Sequence, residues 1–358
     1  AEMLAGDLIT GGWSSAEVDE ALDLCLSCKA CASECPVKVD MASYKAEFLH
    51  QRYRWRLRPR WHYALGGLPL AARVAVLVPR LANAVAPFLA RLGGVSTARP
   101  LPRFARYRPP PVRGLGGSGS HGVVLLWPDC FTRSFDPHVL HAAARVLAAA
   151  GFVVRLPRGA VCCGLTWFTT GQFGIARLVL RRSLHVLRAA LAARVPVVGL
   201  EPSCVAMLRS DLPQLLPSDP AGAALAQRVR TLAEVLSERA PDWRPPERAS
   251  DAVQQVHCHQ HAVLGHDADD ALLRLVGIRV RRVSGCCGLA GNFGYQRGHE
   301  ELSTALAERS LVPAIRAIPG ALVLADGFSC RQQIAQTTGR RARHLAEVLD
   351  QEMADEDR

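Results

Sequence analysis

Four cysteines near the start of the chain have the spacing of ligands to an iron–sulfur cluster. They lie in the run Cys25-Leu-Ser-Cys28-Lys-Ala-Cys31-Ala-Ser-Glu-Cys35-Pro36. Cysteines at three-residue intervals let a short loop wrap around one cubane, so that three thiolates reach three of its irons. The run therefore predicts a [4Fe-4S] cluster at Cys25, Cys28 and Cys31. A zinc knuckle is disfavoured because zinc sites usually pair two well-separated C-x-x-C units.

The role of Cys35 stays open at this point. In ferredoxins with two clusters, the fourth cysteine of such a run ligates the other cluster, and the sequence contains no second run of this kind. Either all four cysteines close one cluster, or Cys35 serves a second cluster that an upstream segment completes. The first residues, Ala1-Glu2-Met3-Leu4, have no initiator methionine and resemble the middle of a helix. We therefore expect the sequence to be a fragment or a processed product.

The remaining eight cysteines form two copies of one pattern. Each copy has a single cysteine, a Cys-Cys-Gly triplet and another single cysteine, and each of these follows an apolar, strand-like run. Corresponding cysteines are 128, 124 and 126 residues apart, so two similar modules stand in tandem. The first group comprises Cys130, Cys162, Cys163 and Cys204, and the second comprises Cys258, Cys286, Cys287 and Cys330.

Strands and helices alternate through both copies. Apolar runs predict strands at 123–127, 253–257, 278–283 and 321–325. Periodic apolar residues predict helices at 136–150, 267–276 and 298–311, and around the stripe Leu180, Leu184, Leu187 and Leu191. Alternating elements indicate an α/β fold with parallel sheets, in which ligands collect at the carboxyl ends of the strands. We therefore expect the four thiolates of each copy to converge on one point.

Four thiolates suit either an iron–sulfur cluster or a zinc ion. Adjacent cysteines such as Cys162 and Cys163 are awkward ligands for one tetrahedral ion, because neighbouring side chains diverge. A cluster offers several irons and accepts them more readily. Buried reduced cysteines without metal would require the same pattern to arise twice without a use, so we expect an iron–sulfur cluster, or zinc, in each module.

The composition is that of a globular protein with one basic segment. Apolar residues make up 49% of the 358 residues and charged residues 21%, which is ordinary for a folded chain. There is neither a signal peptide nor an uncharged apolar stretch of about 18 residues, so we expect a cytoplasmic protein in which clustered cysteines bind metal. The net charge of +11 comes from residues 51–113, which contain thirteen arginines and no Asp, Glu or Lys.

The arginine-rich segment, residues 52–113, has three interpretations. Its apolar residues between 68 and 92 suit amphipathic helices broken at Pro79 and Pro87, which could lie peripherally on the inner face of an anionic membrane. Aromatic residues interleaved with arginine could instead contact nucleic acid, but nothing else resembles a nucleic-acid module, and we expect no nucleic-acid partner. The preferred interpretation is a helical connector packed on the other domains.

The sequence divides into four predicted domains. Residues 1–58 form a small helical domain around the first cysteine run, with a capping box at Ser14-Ser15-Ala16-Glu17 and a second helix capped by Asp40. Residues 59–120 form the connector, which ends in a glycine-rich joint at 114–119. That joint matches G-x-G-x-x-G but precedes a strand, so it is not a dinucleotide site. Residues 121–245 and 246–358 form the two modules.

The whole pattern resembles the iron–sulfur proteins with paired cysteine-rich CCG domains. That family includes the iron–sulfur subunits of glycolate oxidase and of anaerobic glycerol-3-phosphate dehydrogenase, and the cysteine-rich subunit of heterodisulfide reductase. The segments that carry the resemblance are Cys35-Pro-Val-Lys-Val-Asp-Met41, Cys162-Cys-Gly-Leu-Thr166, Glu201-Pro-Ser-Cys204 and Cys286-Cys-Gly-Leu-Ala-Gly-Asn-Phe-Gly294. The likeness is strongest to the carboxyl-terminal half of bacterial fusions whose amino-terminal half is an FAD-linked 2-hydroxyacid dehydrogenase of the D-lactate or D-2-hydroxyglutarate type.

The resemblance implies a fold and a function. It implies a ferredoxin-like [4Fe-4S] domain followed by two Rossmann-like modules, which relay electrons from the FAD of a missing domain or partner protein to a quinone or another acceptor. Heterodisulfide reductase binds a noncubane cluster through a fifth cysteine, and Met207 and Gln333 stand at those positions here. The noncubane cluster is therefore not expected, and no flavin or nucleotide site is expected in this chain.

Two other functions are compatible with the sequence. The histidines around Cys258, namely His257, His259 and His261, could move protons for disulfide or quinone reduction at that module. The simpler interpretation is that they orient ligands or fill the interface between modules. A zinc-stabilised scaffold that presents the arginines to a partner is the third hypothesis, and the first cysteine run argues against it.

Overall fold

The chain folds into twenty α-helices and seven strands within the part that the computed structural model describes, residues 2–6, 9–112 and 117–352. The strands are β1 Val123–Leu126, β2 Val153–Arg155, β3 Val197–Gly199, β4 Val229–Thr231, β5 Ser250–Gln255, β6 Ile278–Val283 and β7 Leu322–Leu324. The first ten helices are α1 Glu2–Ala5, α2 Ala16–Asp23, α3 Ala30–Glu34, α4 Met41–Arg52, α5 Arg60–Gly66, α6 Leu68–Ala75, α7 Pro79–Leu92, α8 Cys130–Phe135, α9 Pro137–Ala149 and α10 Leu165–Thr169. The others are α11 Phe173–Ala192, α12 Pro202–Ala206, α13 Leu212–Leu215, α14 Pro220–Arg228, α15 Leu232–Arg239, α16 Asp267–Leu275, α17 Glu300–Glu308, α18 Leu311–Ala317, α19 Phe328–Thr338 and α20 Leu345–Leu349.

The strands form two sheets in which every pairing is parallel. The first sheet has the order β2-β1-β3-β4 and the second has the order β6-β5-β7. This confirms the expected α/β fold with parallel sheets. Strand β4 was not predicted, because its three residues lie between two helices and carry no run of apolar residues.

The central strand β1 is buried on both faces, as parallel strands between helical layers must be. Val124 and Leu126 point to one face, where they pack in the cluster that contains α9 and α15. Leu125 points to the other face, where α11 supplies the predicted leucine stripe. Alternate residues of one short strand thus join two separate layers of the core.

One hydrophobic cluster contains residues from both sheets. Val124 of β1 and Leu147 of α9 share it with Ile278 of β6, and α20 at the end of the chain packs on α9. The carboxyl-terminal helix therefore ties the second sheet to the first.

The amino-terminal helices differ from the prediction in two details. Asp40 caps α4 as expected, but the cap of α2 is Ser15, whose hydroxyl accepts a hydrogen bond from the Val18 N–H at 3.2 Å. Ser14 cannot take that position because it closes a preceding 3₁₀ turn, Gly12–Ser14. Pro87 lies inside α7 and does not break it, since a proline removes one backbone hydrogen bond and the rest of the helix can continue around it.

Residues 114–116 of the predicted glycine-rich joint, and Arg113 before them, lie outside the described residues. Among the helices that are described, none is both long enough and apolar enough to cross a lipid bilayer.

Candidate metal centres

The first cysteine run forms a tight loop between α2 and α4, with α3 inside it. Three residues other than glycine adopt left-handed backbone here: Ser27 with φ of 53°, Lys29 with 62° and Lys38 with 50°. Each such residue costs about 1–3 kcal/mol and persists only where the surroundings fix it. A loop that accepts this cost three times in twelve residues fits a backbone wound around a bound group.

Backbone N–H groups point at the sulfur atoms of this loop. The Met41 N–H donates to Cys31 Sγ at 3.3 Å, and the N–H groups of Val39 and Val37 lower the pKa of Cys35. Burial raises the pKa of Cys28, and the thiols of Cys258, Cys25 and Cys31 raise it further. N–H donors stabilise thiolate over thiol, so the loop is suited to hold thiolates that a metal binds.

A buried lysine fixes the loop to the first sheet. Lys29 Nζ lies 2.7 Å from Asp211 Oδ1 and 2.8 Å from Asp40 Oδ2. Burial lowers the pKa of Lys29, but the two carboxylates raise it above its ordinary value, so the ammonium stays charged. Burial raises the pKa of Asp211. The lysine thus joins α4 to the helical segment that follows Cys204.

The first group of four cysteines meets at the carboxyl end of the first sheet. Cys130 begins α8 after β1, the Cys162-Cys163 pair follows β2, and Cys204 lies in α12 after β3. All four side chains are buried, and the sulfur atoms of Cys163 and Cys204 are 3.0 Å apart. The structure thus brings these thiols together at the sheet's edge, as the alternation of strands and helices predicts.

One thiol in this group is poised as a thiolate. Hydrogen bonds from Cys130 and Cys163 lower the pKa of Cys162 well below its ordinary value. A hydrogen bond with Cys163 lowers the pKa of Cys204, but burial and the carboxyl of Asp129 outweigh it and raise that pKa to about 12. Cys162 is thus the thiol favoured as an anion, and a cation bound here would displace the protons of the other thiols.

The second group repeats this arrangement at the carboxyl end of the second sheet. Hydrogen bonds from Cys286 and Cys330 lower the pKa of Cys287. Cys287 and Cys330 are buried, whereas Cys258 and Cys286 are half-buried. The second centre is therefore the more accessible of the two.

Four thiols can supply the ligands of an iron–sulfur cluster or of one zinc ion. Four sulfurs at about 2.3 Å from one zinc lie about 3.8 Å from one another. Among the described residues, the only three His, Cys, Asp or Glu ligand atoms within 4.8 Å of one another belong to His266, Asp267 and Asp270, and no cysteine group meets that criterion. An iron–sulfur cluster binds each thiolate at a separate iron, so the preference for a cluster rests on the adjacent cysteines of each triplet and not on these separations.

The backbone conformation explains why each Cys-Cys-Gly triplet has a glycine at its third position. Gly164 and Gly288 both have left-handed backbone, with φ of 79° and 86°. A Cβ on Gly164 would be in ordinary contact with Ala176, at 3.4 Å or more. A Cβ on Gly288 would lie 2.1 Å from the carbonyl oxygen of Ser303, so α17 leaves no room for it.

We expect the two triplets to differ in their tolerance of alanine. Gly164→Ala should cost about 1 kcal/mol, from the left-handed backbone alone. Gly288→Ala should cost about 3 kcal/mol, because steric overlap with α17 adds to the backbone term. Urea unfolding of the two variants beside the wild type measures both values, and equal costs would contradict this account of α17.

The three candidate histidines take different positions. His257 and His259 are buried, and burial lowers their pKa values to about 4 and about 3, so both rings are neutral at pH 7. His259 Nε2 donates to the Ser27 carbonyl at 2.8 Å, which connects the second group to the first cysteine run. His261 lies at the surface, 3.6 Å from Glu34. This placement favours a structural role for His259, and catalysis by the three stays untested.

Charged residues join the two sheets between the centres. Glu201, the first residue of the Glu-Pro-Ser-Cys204 segment, accepts a hydrogen bond from the Phe328 N–H of α19 at 2.8 Å. Arg331 of α19 reaches back to Asp136 at 2.8 Å. Both Glu201 and Arg331 are buried. Glu201, after β3 of the first sheet, thus binds the first residue of α19, and Arg331 of α19 binds Asp136, which directly precedes α9.

Met207 and Gln333, which stand where heterodisulfide reductase has its fifth cysteine, are both buried. Met207 is fully buried in the core of the first sheet. Gln333 is also fully buried, donates to the Ser303 carbonyl at 2.9 Å and accepts from Arg99. Neither side chain therefore replaces the thiolate of a fifth cysteine.

Sequence reasoning sorted the cysteines into three groups but missed the ion pairs between the segments that carry them. Lys29 with Asp211, and Arg331 with Asp136, join residues 182 and 195 positions apart. The only signal of these ion pairs in the sequence is Lys29, which lies inside the cysteine run. A charged residue beside candidate metal ligands predicts an ion-pair partner.

Comparison with known proteins agrees with the expected family. Residues 124–209 match the family described as CCG cysteine-rich domain. The chain is 29% identical to D-2-hydroxyglutarate dehydrogenase of Pseudomonas putida, over 94% of this chain and 34% of that protein. It is 26% identical to lactate utilization protein A of Bacillus licheniformis, over 63% of this chain and 98% of that protein. It is 27% identical to a subunit of the anaerobic glycerol-3-phosphate dehydrogenase of Escherichia coli, over 64% of this chain and 59% of that protein.

The chain spans about a third of the length of the D-2-hydroxyglutarate dehydrogenases that it matches. The resemblance expected from the sequence is confirmed: residues 124–209 match a CCG cysteine-rich domain, and the chain is similar to D-2-hydroxyglutarate dehydrogenase, lactate utilization protein A and a subunit of anaerobic glycerol-3-phosphate dehydrogenase.

Proposed function

We propose that the chain is the iron–sulfur electron-transfer portion of an FAD-linked 2-hydroxyacid dehydrogenase. In this proposal Cys25, Cys28 and Cys31 hold a [4Fe-4S] cluster, with Cys35 on the same or a second cluster. The groups that contain Cys130 and Cys258 hold one iron–sulfur cluster each. Residues 1–58 act as a ferredoxin-like domain, 59–120 as a connector, and 121–245 and 246–358 as two Rossmann-like modules. The names of the relatives and the share of their length that the chain covers support this assignment.

The observation that carries the proposal is the contact of the first cysteine loop with both other centres. Lys29 binds Asp211, seven residues beyond Cys204, and Ser27 accepts from His259, next to Cys258. Cys28 lies near enough to Cys258 for that thiol to affect its pKa. Three groups of thiols that are joined in this way suit the passage of electrons from one centre to the next.

The residues of this chain would bind and tune the clusters, which supply one-electron chemistry when bound. Burial of the first group excludes water from its thiolates. The N–H donors at Cys31 and Cys35 would offset part of the negative charge of the first centre. Oxidation of the hydroxyacid would belong to FAD in a separate domain or protein, since the flavin does the substrate chemistry. A quinone is the proposed acceptor, and a reducing, cytoplasmic compartment is the proposed location.

A second candidate function is reduction of a disulfide or quinone at the second centre. The half-burial of Cys258 and Cys286 favours it, because a substrate can approach them. The neutral, buried His257 and His259 weigh against it, since neither ring is an imidazolium that could act as a general acid at pH 7.

Anaerobic reduction of the isolated chain tests the proposal. We expect dithionite to bleach its visible absorption, and D-2-hydroxyglutarate or D-lactate alone to leave it unchanged, because the electrons must enter through a flavin. Bound flavin in the absorption spectrum, or reduction by a hydroxyacid alone, would contradict the proposal. Turnover of a disulfide substrate by the reduced chain would favour the second candidate function.

A further inference from the structure

Exposed apolar side chains lie on α6, on α7 and in the loop before α5. In α7, which has no buried residue, Leu81, Val85, Phe88 and Leu92 are spaced at four, three and four positions and share one helix face. These four side chains are 38% to 64% exposed. A helix of fourteen residues is about 21 Å long, so this face is a large apolar surface of the kind that marks an interaction site.

Two further segments of the arginine-rich part carry exposed apolar side chains. Leu70 and Val74 of α6 and Leu77 after it are spaced at four and three positions and are 52% to 74% exposed. In the loop before α5, Trp55 is 88% exposed and Leu57 is 90% exposed. We call these three parts together the apolar face.

The charges around the apolar face have one sign. Residues 51–113 contain thirteen arginines and no acidic residue. Arg54 and Arg56 alternate with the exposed Trp55 and Leu57, and Arg80 lies beside the α7 stripe. Within the part of the chain that the structure describes, none of these three arginines has an ion pair. Arginine with exposed tryptophan and leucine is the composition of segments that lie in the headgroup region of anionic bilayers.

Few polar side chains of this segment are free to make directional hydrogen bonds with a protein partner. Arg73 donates to the Val161 carbonyl and Asn83 is paired with the backbone of Phe104, so both are engaged within the chain. What remains outward is aliphatic, aromatic and cationic. Apolar burial has no preferred direction, and a fluid anionic surface satisfies such a face without matched hydrogen bonds.

We propose that the apolar face docks the chain on an anionic lipid bilayer. Leu81, Phe88, Trp55 and their neighbours enter the headgroup boundary, and the arginines contact lipid phosphates. Peripheral docking would bring the proposed electron relay to a quinone dissolved in the membrane. That consequence rests on the proposed function, whereas lipid binding itself does not.

Co-sedimentation of the whole chain with lipid vesicles tests the docking without any turnover. With phosphatidylcholine vesicles that contain phosphatidylglycerol, we expect binding at least about tenfold tighter than with phosphatidylcholine alone, since each basic residue near an anionic surface contributes about 1 kcal/mol. The difference should shrink at high salt. Failure of this experiment would leave the electron-transfer proposal standing, and failure of the reduction experiment would leave this one standing.

Paired variants decide whether the apolar face is responsible for the binding to anionic vesicles. Leu81→Glu with Phe88→Glu should lower vesicle binding about tenfold or more, because two apolar side chains are lost from the bilayer. Ile175→Glu with Leu178→Glu is the matched control, since both residues are exposed on α11 and the charge change is the same. Trp55→Ala with Leu57→Ala tests the loop, where full exposure makes misfolding no concern.

Three results would overturn the proposal. The first is equal binding to neutral and anionic vesicles. The second is equal loss of binding in the α7 variant and the α11 control. The third is a dimer in lipid-free solution that the α7 variant converts to a monomer, which would make a second copy of the chain the occupant of this face.

Discussion

Replacing Cys204 with alanine should lower the iron content of the chain by about a third, from about twelve to about eight atoms, if each of three centres holds four irons. Cys204 is buried, and its sulfur lies 3.0 Å from that of Cys163. Alanine removes one of four thiolates from a site that water cannot enter to replace it. Iron and acid-labile sulfide, assayed after anaerobic purification, measure the loss.

Two variants control this experiment. Ser203→Ala changes the preceding residue of α12, which is also buried but bonds Glu201 and no sulfur, and should keep all the iron. Cys330→Ala should cause the same loss as Cys204→Ala, from the second centre. Full iron content in the Cys204 variant would remove the first group from the metal-binding residues.

Replacing Asp211 with alanine should destabilise the chain by about 3 kcal/mol or more, because it leaves a buried ammonium without its closest partner. Lys29 is 3% exposed and Asp211 is 1% exposed, and Asp40 is the only other carboxylate that the lysine contacts within the described part of the chain. Urea unfolding of the two proteins, compared at one pH, measures the difference.

A surface ion pair provides the matched control. Arg279 and Asp251 are 2.8 Å apart, but both side chains are at least half exposed. Asp251→Ala should cost less than about 1 kcal/mol, since exposed pairs contribute little. The double variant Lys29→Met with Asp211→Leu should be more stable than Asp211→Ala alone, because the buried ammonium is gone and Asp40, which is 26% exposed, still accepts from Ser43. Equal costs for Asp211→Ala and Asp251→Ala would show that Lys29 does not anchor the loop.

The sequence predicted what short-range patterns determine. The three groups of cysteines follow from spacing alone, and the parallel sheets follow from alternating strands and helices. The stripe of Leu180 and Leu184 predicted α11 because a helix repeats every 3.6 residues. Each of these signals lies within a short stretch of the chain.

Contacts between distant residues could not be predicted in this way. Ser27 meets His259 across 232 positions, and Glu201 meets Phe328 across 127. No local pattern marks such a pair, because each partner is an ordinary polar residue until the fold brings the other to it. Strand β4 was missed for a related reason: it exists because β3 offers a free edge beside it.

Pro87 shows the limit of single-residue rules. A proline lowers helix stability by about 3 kcal/mol in isolation, which predicts a break. In α7 the helix continues through it, and the sequence alone does not show how the surroundings offset that cost.

The histidines near Cys258 illustrate the same limit for function. Their position beside Cys258 predicted a proton-active cluster or a structural one, and the burial that bears on this choice exists only in the folded chain. His257 and His259 are neutral because they are enclosed, and enclosure is a property of the tertiary structure.

The central claim is that twelve cysteines hold iron–sulfur clusters that relay electrons. Iron, zinc and acid-labile sulfide per chain after anaerobic purification, with electron paramagnetic resonance of the reduced sample, test it most directly. We predict about twelve irons with equal sulfide, and signals of several reduced clusters that interact, since the loop of Cys28 contacts the group of Cys258. Zinc with little iron and no resonance signal would contradict the account and would make the chain a structural scaffold.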